Sequence, residues 1–176
     1  DTEAPLVADL YCGGLGMGAG FMNAGFKHGV LCEQEEFQRS TIVQRYNLLA
    51  MRSAKNLTAS MFKGHFAGTS SAPCSPFSLA GGQQGLSNPL SNEFITQWDK
   101  MIEAKVPLMI AENVPQVMKV TKLKSGEYAS PLNLLTDRAK KEGYVVTHRI
   151  INNASMQGHV VRERIFIQAQ LQSLQD

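Results

Sequence analysis

The sequence predicts an α/β fold: a mostly parallel sheet with helices on both faces and an antiparallel pair of strands late in the chain. Three observations lead there. Apolar runs that stop at a glycine or an acid recur, near 6–10, 28–33 and 106–112. Helical stripes fall between them, as in "EFITQWDKMIEAK", apolar at 94, 95, 98, 101 and 102. Two strand-like stretches, "YVVTHRIINN" and "RERIFIQAQL", then close the chain. Alternating strands and helices give a sheet covered on both faces.

The elements follow in order. "PLVADLYCGG" is a buried strand, Leu6 to Leu10, entering a glycine turn. "GGLGMGAGFMNAGF" starts a helix within it, with Phe21, Ala24 and Gly25 on one face. "HGVLCEQ" is a second short strand ending near Glu33, and "EEFQRSTIVQRYN" a helix to Asn47. Strand, glycine-rich turn, helix and a strand with a terminal acid make the βαβ pattern of a nucleotide-type site. Residues 48–72 are poor in strand signal, with "HFAGTSSA" a weak candidate. Residues 79–92, "LAGGQQGLSNPLSN", read as a mobile polar loop. "VPLMIAENV" is the strongest strand, and "PLNLLTDRAKKEGY" a helix with Gly143 at its C′ position.

Composition narrows the class. Hydrophobic residues make up 43% and charged residues 18% of 176, enough for one domain with a sizeable core. No run of about 18 apolar residues suggests a membrane span, and the start lacks the pattern of a signal peptide. Cys12, Cys32 and Cys74 are an odd set whose spacing matches no zinc pattern. They argue for a reducing compartment, not a disulfide framework. A net charge of +2 permits a local nucleic-acid patch without demanding one. The clusters Lys119, Lys122, Lys124 and Arg138, Lys140, Lys141 read as a solvated loop and helix face.

"SSAPCSPFS" poses the functional question. Pro73 and Pro76 fix φ around Cys74 and remove two backbone donors. Such a rigid turn suits either a structural loop or a presented nucleophile. In α/β sheets ligands gather at the carboxyl ends of strands. Asp9, Glu33, Cys74 and Glu112 all lie at or just past that edge, which moves Cys74 toward function.

Four stretches then share one resemblance. "DLYCGGLGMGAGFMNAGF", "PCSPFSLAG", "AENV" and "RERIFI" stand in order across residues 9 to 167. Together the chain resembles the DNA cytosine-5 methyltransferases. The resemblance implies a Rossmann-like S-adenosylmethionine-dependent methyltransferase fold, with 1–176 as the catalytic domain. It implies methyl transfer to C5 of cytosine in double-stranded DNA through a covalent Cys74 adduct with a flipped-out base. Cys74, Glu112, Arg162 and Arg164 would be catalytic. Asp9, Tyr11, Gly13, Gly14, Gly16 and Glu33 would hold S-adenosylmethionine, with Glu35 as a second acid. Pro73, Ser78 and Asn113 would contact the substrate. The implied setting is cytoplasmic, bacterial or phage-like, or nuclear, with no membrane and no metal.

The chemistry suits those residue types. A thiolate is the most nucleophilic side chain near neutral pH, and its addition to C6 makes C5 able to accept a methyl group. A carboxylic acid raised in pKa by a closed pocket can protonate N3. Arg162 and Arg164, two apart on a strand, face one side.

The pattern also departs from the family. Its usual Gln falls on Val160, and another Gln on Ser75. The Asp-Ile stretch that contacts adenine is not evident between 48 and 66, and "SNPLSNEF" lacks an Asp-x-Arg segment. No target-recognition domain is evident within 1–176. Three readings stand open: one subunit of a split enzyme with a second polypeptide carrying target recognition, a degenerate copy, or a sequence lacking segments of the whole. The alternative function is a non-catalytic regulatory or DNA-binding pseudo-methyltransferase.

Overall fold

A computed structural model describes residues 3–77, 86, 89–122, 127–156 and 158–172. Its main sheet has six strands in the order β2-β1-β3-β4-β8-β7. These are β1 (Leu6–Leu10), β2 (Lys27–Cys32), β3 (His65–Ser70), β4 (Leu108–Asn113), β7 (Tyr144–Asn152) and β8 (Glu163–Leu171). β1, β2, β3 and β4 run parallel, while β8 lies antiparallel to both β4 and β7. A small ribbon pairs β5 (Thr121–Lys122) with β6 (Tyr128–Ala129). The helices are α1 (Gly16–Asn23), α2 (Glu36–Tyr46), α3 (Pro89–Glu103) and α4 (Pro131–Lys141). None of the described helices is long and apolar enough to cross a membrane.

Two apolar layers sandwich the sheet. On one face α3 and α4 bury Phe94, Trp98, Met101 and Leu135 against Leu10, Met109, Ala111, Ile165 and Ile167. Polar tips inside this layer are matched: Trp98 Nε1 donates to the Leu135 carbonyl at 3.0 Å, and the Tyr144 hydroxyl to that of Val106 at 3.0 Å. On the other face a smaller cluster gathers Cys12, Leu15, Leu31 and Ile42 beneath α2.

Several elements differ from the sequence expectation. The weak candidate "HFAGTSSA" is β3, a central strand paired on both sides. Ala67, Gly68, Thr69 and Ser70 are small and buried because space is short there. A Cβ on Gly68 would lie 2.5 Å from the Met101 sulfur on α3, and Thr69 turns the other way to donate to Asp9. Strand propensity is weak there, and packing decides. A single residue, Met51, bridges Cys32 in parallel and extends the sheet beyond β2.

α1 stops at Asn23, so Ala24 and Gly25 are exposed turn residues and not part of a helix face. Phe21 does bury an edge, packing at 5.1 Å on Phe26. The expected loop 79–92 gives way to helix at Pro89, while residues 78–85, 87 and 88 lie outside the described residues. α4 starts on the Ser130 cap, whose side chain accepts from Asn133 N at 3.1 Å. Of the expected basic clusters, Arg138 pairs with Asp99 of α3, and Lys124 lies outside the described residues.

Candidate functional site

The turn that carries Cys74 leaves the end of β3 and is pinned at three points. Ser71 N donates to the Leu10 carbonyl at 3.0 Å, tying the exit to β1. Asn113, buried at the end of β4, donates from Nδ2 to the Ala72 carbonyl at 3.2 Å while its Oδ1 accepts from Val114 N at 2.9 Å. Phe77 N then donates to the Cys74 carbonyl at 2.9 Å and closes the turn. Phe77 is buried against Phe94 of α3, ring centroids 6.4 Å apart. Cys74 is left half-buried, a free thiol on a fixed backbone, with half-buried Pro73 before it. Ser78 lies outside the described residues.

Glu112 stands on the neighbouring strand. Ser70 is in register with Ala111, so Glu112 is the next residue beyond that pair. On its other side Glu112 faces Phe166, and the diagonal neighbour Arg164 reaches it, Nε to Oε1 at 3.0 Å. Burial raises the Glu112 pKa, and the charges of Arg164 and Arg162 oppose the rise. The pair floors a cavity of about 520 Å³, lined also by Ile151, Asn153, Met156, Arg162 and Phe166. Arg162 is exposed. No motif marks the lining residues Ile151, Asn153 and Met156. Their place follows from the β7–β8 register, which sets Ile151 opposite Arg164.

A second centre lies at the ends of β1 and β2. Tyr11 and Leu15 hold left-handed backbone (φ 55 and 69), unusual for residues with a Cβ, around Gly13 (φ 53). Glu33, buried at 8% exposure, joins two turns: Oε2 accepts from Gly13 N and Oε1 from Glu35 N, each at 2.8 Å. A Cβ on Gly16 would meet nothing within 4 Å, so the helix start has an open side. Gly14 lies against Gln38, 3.3 Å from a would-be Cβ to Oε1.

Asp9 sits below this turn with no exposed surface. Thr69 donates to its Oδ1, and its Oδ2 lies 2.8 Å from where a Cβ on Gly18 would be. Burial raises its pKa to about 6 against the opposing hydrogen bonds from Thr69 and the Gly18 backbone. Asp9 therefore holds the turn from beneath.

A cavity of about 170 Å³ opens beside the turn, lined by Tyr11, Cys32, Gln34, Arg52–Lys55 and Glu93. It shares Gln34, Arg52 and Ser53 with a neighbouring cavity of about 510 Å³. Arg52, Lys55 and Glu93 are absent from the sequence-predicted set. They come from segments with no motif, and only the fold brings them to Tyr11.

The chain as a whole has counterparts among known proteins. Residues 6–176 match the family described as C-5 cytosine-specific DNA methylase. The chain is 25% identical over 145 residues to the Type II methyltransferase M.HaeII of Haemophilus aegyptius, covering 82% of this chain and 43% of that protein. In fold it resembles the Entamoeba histolytica methyltransferase EhMeth, with a TM-score of 0.77 at 12% identity over 97% of this chain and 54% of that one. It also resembles S. pombe Dnmt2, with a TM-score of 0.71 at 19% identity over 95% of this chain and 51% of that one. At these identities the structural likeness is one of fold. The chain spans about half the length, or less, of each of these relatives.

Proposed function

The chain belongs to the C-5 cytosine-specific DNA methylase family, and from that premise we propose that it methylates C5 of cytosine in DNA, with S-adenosylmethionine as the donor. One observation carries the reading: a thiol on a pinned turn follows β3, the strand paired with the one that ends in Glu112, and Glu112 with Arg164 floors a cavity of about 520 Å³. The glycine turn, Glu33 and the paired cavities at Gln34, Arg52 and Ser53 fit a nucleoside-bearing cofactor. Each Glu33 oxygen keeps a second lone pair for a ribose hydroxyl.

Cys74 Sγ, as thiolate, adds to C6 of a cytosine flipped from the stack, because the duplex hides that atom. Glu112 gives a proton to N3, so the ring electrons gather at C5 instead of forming an anion. Arg164 holds the Glu112 carboxyl and faces the base carbonyl, while Arg162 guards the mouth. When bound, S-adenosylmethionine supplies the methyl group that C5 receives. Loss of the C5 proton to solvent lets the C6–S bond break, the thiolate leaves, and the N3 proton returns to Glu112. Asn113 keeps the Ala72 carbonyl, and so the Cys74 turn, in place. Three free cysteines suit a reducing setting, cytoplasmic or nuclear.

The test is trapping. A duplex carrying 5-fluorocytosine cannot lose a proton from C5, so with cofactor it should leave a covalent adduct on Cys74, read by peptide mass. Val160, 62% exposed where the family has Gln, favours a second reading as a regulatory or DNA-binding pseudo-methyltransferase. Bound duplex with no adduct would select that reading. A second polypeptide, or further residues of the same chain, would supply target recognition.

A further inference from the structure

Glu93 has no place in the reaction described above, yet it reaches the cofactor cavity from the far side. It lies in the early part of α3, the helix that follows the Cys74 turn. Its neighbour Phe94 is buried in the α3 layer, but its own carboxylate turns toward the end of β1. Oε2 accepts from the Tyr11 hydroxyl at 3.4 Å, and Oε1 faces Lys55 Nζ at 3.5 Å. Both contacts are loose. The Glu93 side chain is 23% exposed and that of Lys55 77%, so the anion is withdrawn from water while its counterion is not.

The local field records this anion. Burial, then Glu93, raises the Tyr11 phenol. Burial, then Glu33 and Glu93, pushes the Cys32 thiol up to about 11. An exposed lysine is a weak partner, easily exchanged for another cation. A cation inside the cavity would meet the same carboxylate at a lower effective dielectric.

We infer that Glu93 is a specificity-determining residue that reads the charge lost on methyl transfer, favouring the cationic sulfonium donor over its neutral thioether product, with Lys55 as the displaceable placeholder. The inference rests on the assignment of S-adenosylmethionine to this cavity. Donor and product share the same carboxylate, ammonium, ribose and adenine. They differ by one methyl group and one positive charge at sulfur, so their affinity ratio isolates the response to that charge. Weaker attraction after transfer would also help the product leave.

Calorimetric titration of the protein with S-adenosylmethionine and with S-adenosylhomocysteine tests this without turnover. Glu93→Gln keeps size and removes charge. It should lower the donor-to-product affinity ratio roughly fivefold, mostly through the donor. Lys55→Met removes the placeholder and should raise the same ratio. Sinefungin, which carries an amine in place of the sulfonium, should follow the donor in both variants. An unchanged ratio in Glu93→Gln, or an equal loss for both ligands, would overturn the inference and leave the cofactor assignment standing. No binding of either ligand to the unaltered protein would overturn both.

Discussion

Asp9 is a carboxyl with no exposed surface, and its chemistry reaches beyond its contacts. Its pKa in the fold is about 6, above the 3.8 of an ordinary Asp, because burial penalises the charge. The folded state therefore binds its proton more tightly than the unfolded state. Stability from this group is fully present below about pH 4 and is lost as pH rises through about 6. The shift corresponds to about 3 kcal/mol at most. We expect the stability of Asp9→Asn relative to the unaltered protein to rise from about pH 4 and to level off above about pH 6, measured by urea unfolding. A difference that stays flat across that range would show that Asp9 binds its proton equally tightly in the folded and unfolded states. Cys74 is the opposite case, a half-buried side chain whose value lies in reactivity. Serine fits the same space but is far less ionised and less nucleophilic near neutral pH. Cys74→Ser should keep the fold and cofactor binding and abolish methyl transfer from tritiated donor. Retained turnover would make Cys74 structural.

At the scale of elements, α1 depends on one close approach. A Cβ on Gly18 would stand 2.7 Å from His28 Cε1 and 2.8 Å from both Asp9 Oδ2 and Leu15 Cδ1. No single rotamer change clears three neighbours, so Gly18→Ala should cost roughly 1–3 kcal/mol, read as a lowered midpoint in denaturant. It should also weaken cofactor binding, because α1 carries the end of the glycine turn. Gly16→Ala, in open space, is the control. Equal stability of the two variants would show that α1 shifts freely on the sheet. The same scale explains what could be read in advance. β4 was legible because a long apolar run has few alternatives. β3 was only a weak candidate, because its Ala-Gly-Thr-Ser content answers to Met101 above and Asp9 beside it. Those partners are distant in sequence.

At the scale of the molecule, the two faces of the sheet are unequally covered by the described residues. α3 and α4 close one face, while α1 packs chiefly on β1 and β2 of the other. Ile110, Glu112, Arg164 and Phe166 alternate outward from buried Met109, Ala111, Ile165 and Ile167, on the face that carries the cavity at Glu112. Val145 at the far strand is 37% exposed. A mostly parallel sheet ordinarily has both faces covered. We expect the 176-residue polypeptide by itself to bind mixed-sequence duplex weakly, through phosphates, with affinity falling steeply as salt rises. We also expect it to methylate poorly until a second polypeptide, or further residues, are added. Sequence-specific turnover by the 176 residues alone at ordinary salt would rule this out.

By itself the sequence determined the order of the main strands and helices, with β3 only weakly marked, the glycine turn with its acid, and the four motifs that carry the family resemblance. Each is local: periodicity, turn chemistry and short motifs are written within a few residues of one another. Only the tertiary structure decided which partners those residues meet. Asp9 lies under the turn because Thr69 and Gly18 surround it there. Asn113 serves the Cys74 turn because β3 and β4 run side by side. Arg52, Lys55 and Glu93 converge on Tyr11 with no motif to announce them. Such neighbours are set by sheet register and helix docking, which depend on packing across the whole chain and not on any one stretch of it.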